Sequence, residues 1–329
     1  MKPIRSALCF AAVALSASLA GAGPLDKTEC IAPAKPGGGF DLTCKLAQSA
    51  LMDAKAISDP MRVTYMPGGI GAVAYNAVVA QRPDAANTIV AFSGGSLLNL
   101  AQGKFGRYNE NDVRWVAGIG ADYGALVVAE NSPFKSVKDV LAAIKADPTK
   151  VVFGAGGTVG SQDWMKAALT ARAAGVDPKS MRFVAFEGGG EAMTALQGGH
   201  IHVFTGDAAE TAQQIKAGSK VRILAVMSDK RLPGDLAQVP TAKEQGINVE
   251  WPIIRGFYVG PKVSDADYKV WTDTFAKVMA TPGYDKLRNE RGLYPFAMTG
   301  AELDAYVKKQ VDGYRKLVAE FGLAVAPAK

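Results

Sequence analysis

The stretch TECIAPAKPGGGFDLTCKL, residues 28–46, joins a short apolar run of β type, Thr28 to Pro36, to Gly37, Gly38 and Gly39 and then to a segment with helical patterning. Four further junctions of this kind follow. Arg62 to Pro67 runs into Gly68-Gly69-Ile70-Gly71, Thr88 to Phe92 into Ser93-Gly94-Gly95, Val151 to Phe153 into Gly154-Ala155-Gly156-Gly157-Thr158-Val159-Gly160, and Arg182 to Glu187 into Gly188-Gly189-Gly190. A glycine loop that opens a helix leaves backbone N–H groups free at the helix N-terminus, where the macrodipole also favours negative charge. Five such junctions predict a chain that holds an anion with several carboxylates or phosphates.

The junctions also recur in order. Ile31 to Ala50 is matched by Val152 to Ala171, and Arg62 to Gly69 by Arg182 to Gly189, each at an offset of about 120 residues. In both halves the next strand ends in a hydroxyl-glycine pair, Ser93-Gly94 and Thr205-Gly206. Two similar α/β lobes facing one another are therefore expected. A length of 329 residues exceeds one ordinary core, and 48% hydrophobic with 21% charged residues is common globular composition. The chain should cross between lobes at least twice, entering the second at Ala125 to Glu130 and returning at Val221 to Met227. The helical pattern from Asp265 to Phe321, broken at Pro282-Gly283 and near Pro295, is expected to pack back on the first lobe.

Lys2 and Arg5 precede an uncharged run from Ser6 to Ala22 that is too short to span a bilayer and ends in small residues, so residues 1–22 read as a cleaved secretory signal. No cysteine stands at the cleavage site, and no later segment reads as a transmembrane helix. Loss of the signal takes the net charge from +6 to +4 and leaves two cysteines, Cys30 and Cys44. In an oxidising compartment these can form one disulfide across the first glycine loop; the alternative is a pair of small buried thiols. A metal site is not expected: two thiolates need further ligands, and the only histidines, His200 and His202, come without an HExxH pattern or a third nearby ligand.

Four stretches, residues 28–46, MRVTYMPGGIGAVAY (61–75), SQDWM (161–165) and WPIIRGFYVGP (251–261), closely resemble the periplasmic solute-binding proteins of tripartite tricarboxylate transporters, and most of all those of citrate type. The resemblance covers essentially the whole mature chain. It implies a Venus-flytrap fold, an α/β periplasmic binding protein with a ligand cleft between domain 1 (residues 23–124 and 227–329) and domain 2 (residues 125–226). It also implies a tricarboxylate ligand, citrate first, delivered to one large and one small integral membrane subunit that an ion gradient drives. The alternatives are a dicarboxylate receptor of the same family or a sensor subunit for a membrane kinase.

In the family the ligand is held at the loop after the first strand, matched here by Pro36, Gly37, Gly38, Gly39, Phe40 and Asp41. The facing loop of the second domain is matched by Gly156 to Gln162, which supplies Gly157, Thr158, Val159, Gly160, Ser161 and Gln162. Ser93, Gly94, Thr205 and Asp207 complete the expected site. The hydroxyls of Ser93, Thr158, Ser161 and Thr205 can donate to a carboxylate or serve as helix caps. Asp41, itself an anion, reads as support for the loop.

Three places depart from the family pattern. Lys35 stands where relatives carry an apolar residue or proline, Gln162-Asp163-Trp164 where a histidine is common nearby, and Arg255 in a strand that is often uncharged. Lys35 and Arg255 suit an additional carboxylate, or else are a solvated charge or an interdomain salt bridge. Trp164 reads as helix packing. No nucleotide loop, hydrolase elbow or concentrated basic patch is present, so no cofactor, catalysis or nucleic-acid partner is expected.

Overall fold

The computed structural model describes residues 23–323, and the expected signal peptide lies outside them. Among the described residues no helix is long and apolar enough to cross a membrane.

The first sheet contains β1 (Glu29–Ala32), β2 (Arg62–Tyr65), β3 (Thr88–Ser93) and β4 (Arg114–Tyr123), joined from far along the chain by β10 (Pro252–Val259) and β11 (Met298–Thr299). The second contains β5 (Ala125–Ala129), β6 (Val152–Gly156), β7 (Arg182–Phe186), β8 (Val203–Phe204) and β9 (Val221–Val226). Around the first lie α1 (Gly39–Asp53), α2 (Ala72–Gln81), α3 (Gly94–Ala101), α8 (Asp265–Met279), α9 (Pro282–Glu290) and α10 (Gly300–Glu320). Around the second lie α4 (Val137–Ala146), α5 (Gln162–Ala173), α6 (Gly189–Gln197) and α7 (Ala208–Lys216). β1, β3 and β6 are buried throughout, as strands covered on both faces must be, which explains their unbroken apolar runs.

The two sheets have one plan. In the first, β1 pairs in parallel with β2 and β3, and β10 lies antiparallel between β3 and β4. In the second, β6 pairs in parallel with β7 and β8, and β5 lies antiparallel between β8 and β9. The strand orders β11-β4-β10-β3-β1-β2 and β7-β6-β8-β5-β9 thus superimpose once β11 is set aside. Each sheet takes its antiparallel strand from beside a crossover, so both lobes are sewn together at β4–β5 and at β10.

Two boundaries differ from the sequence reading. After β9 the chain stays on the second lobe: Leu232 and Leu236 join one of its cores, and Ala242, Ile247 and Val249 another. It re-enters the first sheet only at Pro252, not at Met227. These apolar residues are spaced irregularly over turns and 3₁₀ segments, so no periodicity marks them. In addition, α10 does not pack on the first lobe alone. Leu303, Val307 and Val311 enter the first lobe's core, and Val318 enters the second's beside Trp164 and Trp251, with Phe321 packed against it. Trp164 is a packing residue, 5% exposed, its ring 6.4 Å from that of Phe321.

Cys30 on β1 and Cys44 on α1 form a disulfide. It closes a loop of 14 residues around the first glycine run, which chain-entropy reasoning values at about 3 kcal/mol. Reduction, or Cys30→Ser with Cys44→Ser, is expected to lower the melting temperature by several degrees in a thermal scan; an unchanged melting temperature would show that packing alone fixes the loop.

Candidate functional site

The first glycine run turns the chain from β1 into α1 in two steps. Gly37 takes the left-handed conformation (φ +88°), and its N–H donates to Asp41 Oδ2 at 2.9 Å. Asp41 is held in turn by Lys45 Nζ (2.8 Å) and Tyr65 Oη (2.8 Å), so it braces the loop from behind. Gly38 caps α1 without any side-chain hydrogen bond, and Gly188 does the same for α6. Asp207, at the N-cap of α7, makes no capping bond, and the first turn of α7 is instead held from the first lobe, Asp122 Oδ1 accepting from Ala209 N–H. By contrast α4, α5, α8 and α9 are each capped by their own serine or threonine. The uncapped amides of α1 and α6 meet between the lobes, where first-turn N–H groups have no intrahelical partner.

There they line an interlobe cavity with about 40 Å³ of free volume, room for a few waters. Gly38, Gly39, Phe40, Ser93, Ser161, Gln162, Asp207 and Arg255, all among the residues read from the sequence as ligand-binding, line it. Gly156, the first residue of the facing loop read from the sequence, lines it as well, together with Ala34, Ile70, Asp163, Gly188, Gly189 and Glu210, which were not anticipated as site residues. A larger groove of about 650 Å³ runs past Lys216, Asp235 and Arg288. It meets α7 and α9 at their C-terminal ends, where the dipole repels anions, so the smaller, amide-lined cavity is the better anion site.

The remaining expected residues stand elsewhere. Lys35 lies at the rim with its Nζ 2.9 Å from Glu191 of the other lobe, and half of its side chain is in solvent. Pro36 abuts Gly190 across the cleft: a Cβ on Gly190 would fall 2.3 Å from the Pro36 carbonyl oxygen. Gly94 packs towards Tyr314. Thr205 donates to the Asp163 carbonyl oxygen at 2.8 Å, an interior role. The Gly157 to Gly160 loop, with Thr158 and Val159 exposed, is pinned from the first lobe. Lys104 Nζ donates to the Val159 carbonyl (2.8 Å) and Gln102 Nε2 to that of Gly160 (2.5 Å). Ser161 caps α5 by accepting from Trp164 N–H, and Ser93 accepts from Gly95 N–H.

Behind the cavity runs a buried ionic chain. Arg255 Nη2 donates to Asp122 Oδ2 and Asp207 Oδ2, both at 2.7 Å, joining the lobes. Lys166 Nζ donates to Asp207 Oδ1 (2.7 Å) and the Gly206 carbonyl (2.7 Å), and lies 2.8 Å from Asp163 Oδ1. Asp163 Oδ2 accepts from Gly156 N–H, and Asp122 Oδ1 from Ala209 N–H. Arg255 is thus an interdomain ion pair whose guanidinium presses on the first loop: a Cβ on Gly39 would lie 2.1 Å from its Nη1. Burial pushes the Asp207 carboxyl up, but Lys166 and Arg255 outweigh it and hold the group below the usual range. At Asp163 burial prevails over Lys166 and lifts the carboxyl to about 6; at Asp122 burial likewise prevails over Arg255. Glu210 has no such partner, and burial, with Asp207 and Asp163 adding repulsion, drives it well above the usual range.

No direct sign of Glu210 is legible in the sequence. Asp207-Ala-Ala-Glu210 has the spacing of a helix N-terminal capping pattern, which hides Glu210 behind a structural reading. Gly188 and Gly189 did carry a signal, since their run is the counterpart of Gly68-Gly69.

Among curated proteins the chain is similar to the "UPF0065 protein in gbd 5'region" of Cupriavidus necator, 26% identical over 65% of this chain and 64% of that one, so the match spans just under two thirds of that relative. It is also similar to the "UPF0065 protein in the TAR-I ttuE-ttuC' intergenic region" of Agrobacterium vitis, 26% identical over 91% of this chain and 85% of that one. Among solved structures, MatC from Rhodopseudomonas palustris with bound malate superimposes at TM-score 0.76, with 18% identity, over 90% of this chain and 99% of that one. A second R. palustris protein, with adipate, gives TM-score 0.79 and 19% identity over 92% and 99%. These likenesses show the two-lobed periplasmic binding fold. Receptors of the matched family are periplasmic solute-binding proteins, not enzymes. Residues 46–323 match the tripartite tricarboxylate transporter family receptor TctC across most of the chain, and the chain belongs to that family.

Proposed function

We propose that this chain is the periplasmic receptor that captures a small carboxylate between its lobes and hands it to the membrane subunits of a tripartite transporter. One observation carries the reading: the N-termini of α1 and α6, one from each lobe and neither capped by a side chain, converge on one interlobe cavity. A carboxylate there receives backbone hydrogen bonds from each side without a dedicated counter-ion. Ligand contact with both lobes exists only when they are shut, so binding shifts the open–closed balance. The lobes are shut here on about 40 Å³, far below the 300 Å³ or more of a typical ligand pocket, so a bound acid must hold them slightly farther apart.

Between a tricarboxylate and a dicarboxylate, the site favours the latter. Lys35 and Arg255, the cations suited to an additional carboxylate, are already paired with Glu191 and with Asp122 and Asp207. The fold neighbours solved with malate and adipate lend support. Isothermal titration of the ligand-stripped protein with succinate, malate, adipate and citrate is expected to show one-to-one binding of a diacid, with citrate weaker by about tenfold or more. Citrate binding as tightly as the best diacid would return the specificity to tricarboxylates. Silence across all four would remove the reading as a receptor for simple di- and tricarboxylates.

A further inference from the structure

Glu210 sits in the first turn of α7, 5% exposed, and its carboxyl faces the interlobe cavity. It lies against the second lobe's glycine run: a Cβ on Gly189 would fall 2.3 Å from its Oε1, and one on Gly38 of the facing lobe 3.5 Å from its Oε2. Lys166 is committed to Asp163, Asp207 and the Gly206 carbonyl, and Arg255 to Asp122 and Asp207. Neither makes a hydrogen bond or ion pair with Glu210, although both act on it from farther away. Among the described residues, Glu210 has no hydrogen-bond or ion-pair partner, and four buried carboxyl groups, Asp122, Asp163, Asp207 and Glu210, share two cations. A buried acid is normally paired, hydrogen-bonded or neutral.

From this we infer that the ligand brings its own positive charge: a carboxylate held at the helix N-termini, together with a protonated amine that donates to Glu210. The inference rests on the reading of the cleft as a carboxylate receptor and narrows it to amino-carboxylates. A simple diacid brings only acceptors and adds two negative charges beside an unpartnered acid. An ammonium brings three donors and a charge that the site lacks. The strong upward push on Glu210 agrees with this, because a carboxyl so disfavoured as an anion is restored to its charged form by a cation at contact distance. A metal ion is a poorer source of that charge, since no group of three or more His, Cys, Asp or Glu side chains among the described residues is placed to hold one.

The test is a matched-pair titration of the ligand-stripped full chain in EDTA: succinate against aspartate, glutarate against glutamate, and γ-aminobutyrate as the singly carboxylated amine. At least one amine is expected to bind about tenfold or more tightly than its amine-free parent, the margin of one charged hydrogen bond. In Glu210→Gln that margin is expected to collapse, while Glu210→Asp keeps part of it. Amine-free acids binding as tightly as their amines, or binding that appears only when a divalent metal replaces EDTA, would overturn the inference and leave the carboxylate receptor standing. A margin that survives in Glu210→Gln would also overturn it, since the charge of the acid would then not be what holds the amine. If no acid of either kind binds, the receptor reading falls together with it. The wild-type comparison decides the question alone should the variant fail to fold.

Discussion

Arg255→Ala is expected to be the most damaging single change in the molecule. It removes the one cation that reaches both Asp122 and Asp207, leaving carboxyl groups buried in the interlobe core without their partner. Breaking a buried pair from one side typically costs about 3–5 kcal/mol. Acid should narrow the difference. In the wild type, Asp207 lies below its usual range, so its stabilising contribution is present above the unfolded pKa and fades as the pH falls through the folded one. In the variant, Asp207 loses Arg255 and moves up, while Asp122, already raised by burial, loses its opposing cation. Groups raised above their unfolded values favour the fold at low pH and lose that contribution as pH rises. Urea unfolding at pH 7.5 and at about pH 4.5 should therefore show a large deficit at the first and a smaller one at the second. An equal deficit at both would mean that Arg255 contributes packing and not charge.

Gly190→Val is expected to abolish ligand capture while sparing each lobe. The Gly190 backbone is not in the left-handed region, so a side chain costs little within α6 itself. Across the cleft, however, its Cβ would fall 2.3 Å from the Pro36 carbonyl oxygen and 3.2 Å from Gly37 Cα, and backbone cannot swing aside as a side-chain tip can. An overlap of this kind costs up to about 3 kcal/mol, roughly a hundredfold in affinity when only the closed form binds. The melting temperature of the ligand-free variant should stay within a few degrees of the wild type, and small-angle scattering should show no compaction on adding ligand. Normal affinity in Gly190→Val would place the lobes farther apart in the bound state than this contact allows.

How far the sequence could be read depends on whether a feature is local. The turn from β1 through Gly37 and Gly38 into α1 is written in adjacent residues, and so is its repeat at β6; both lobes and their cavity-facing loops followed from them. The ionic chain was not readable. Asp122, Lys166, Asp207 and Arg255 come from the end of β4, the middle of α5, the N-cap of α7 and the middle of β10, and only tertiary packing brings them together. Lys35 misled in the opposite sense. Its place beside the glycine run suggests the cavity, but the side chain leaves along the rim towards Glu191. The bridging role of α10 stayed hidden because its apolar stripe has one period along its length, whichever lobe it covers.

Hydrogen exchange with and without the tightest-binding acid of the titrations tests the central claim most directly, because it reports on the backbone amides thought to hold the ligand. Protection is expected in the segments 37–42, 156–164, 187–192 and 206–212, which belong to both lobes and contain the cavity-facing helix starts. Protection confined to 233–236 and 288–295, around the larger groove, with the glycine runs unchanged, would contradict the account and move the ligand out of the cleft.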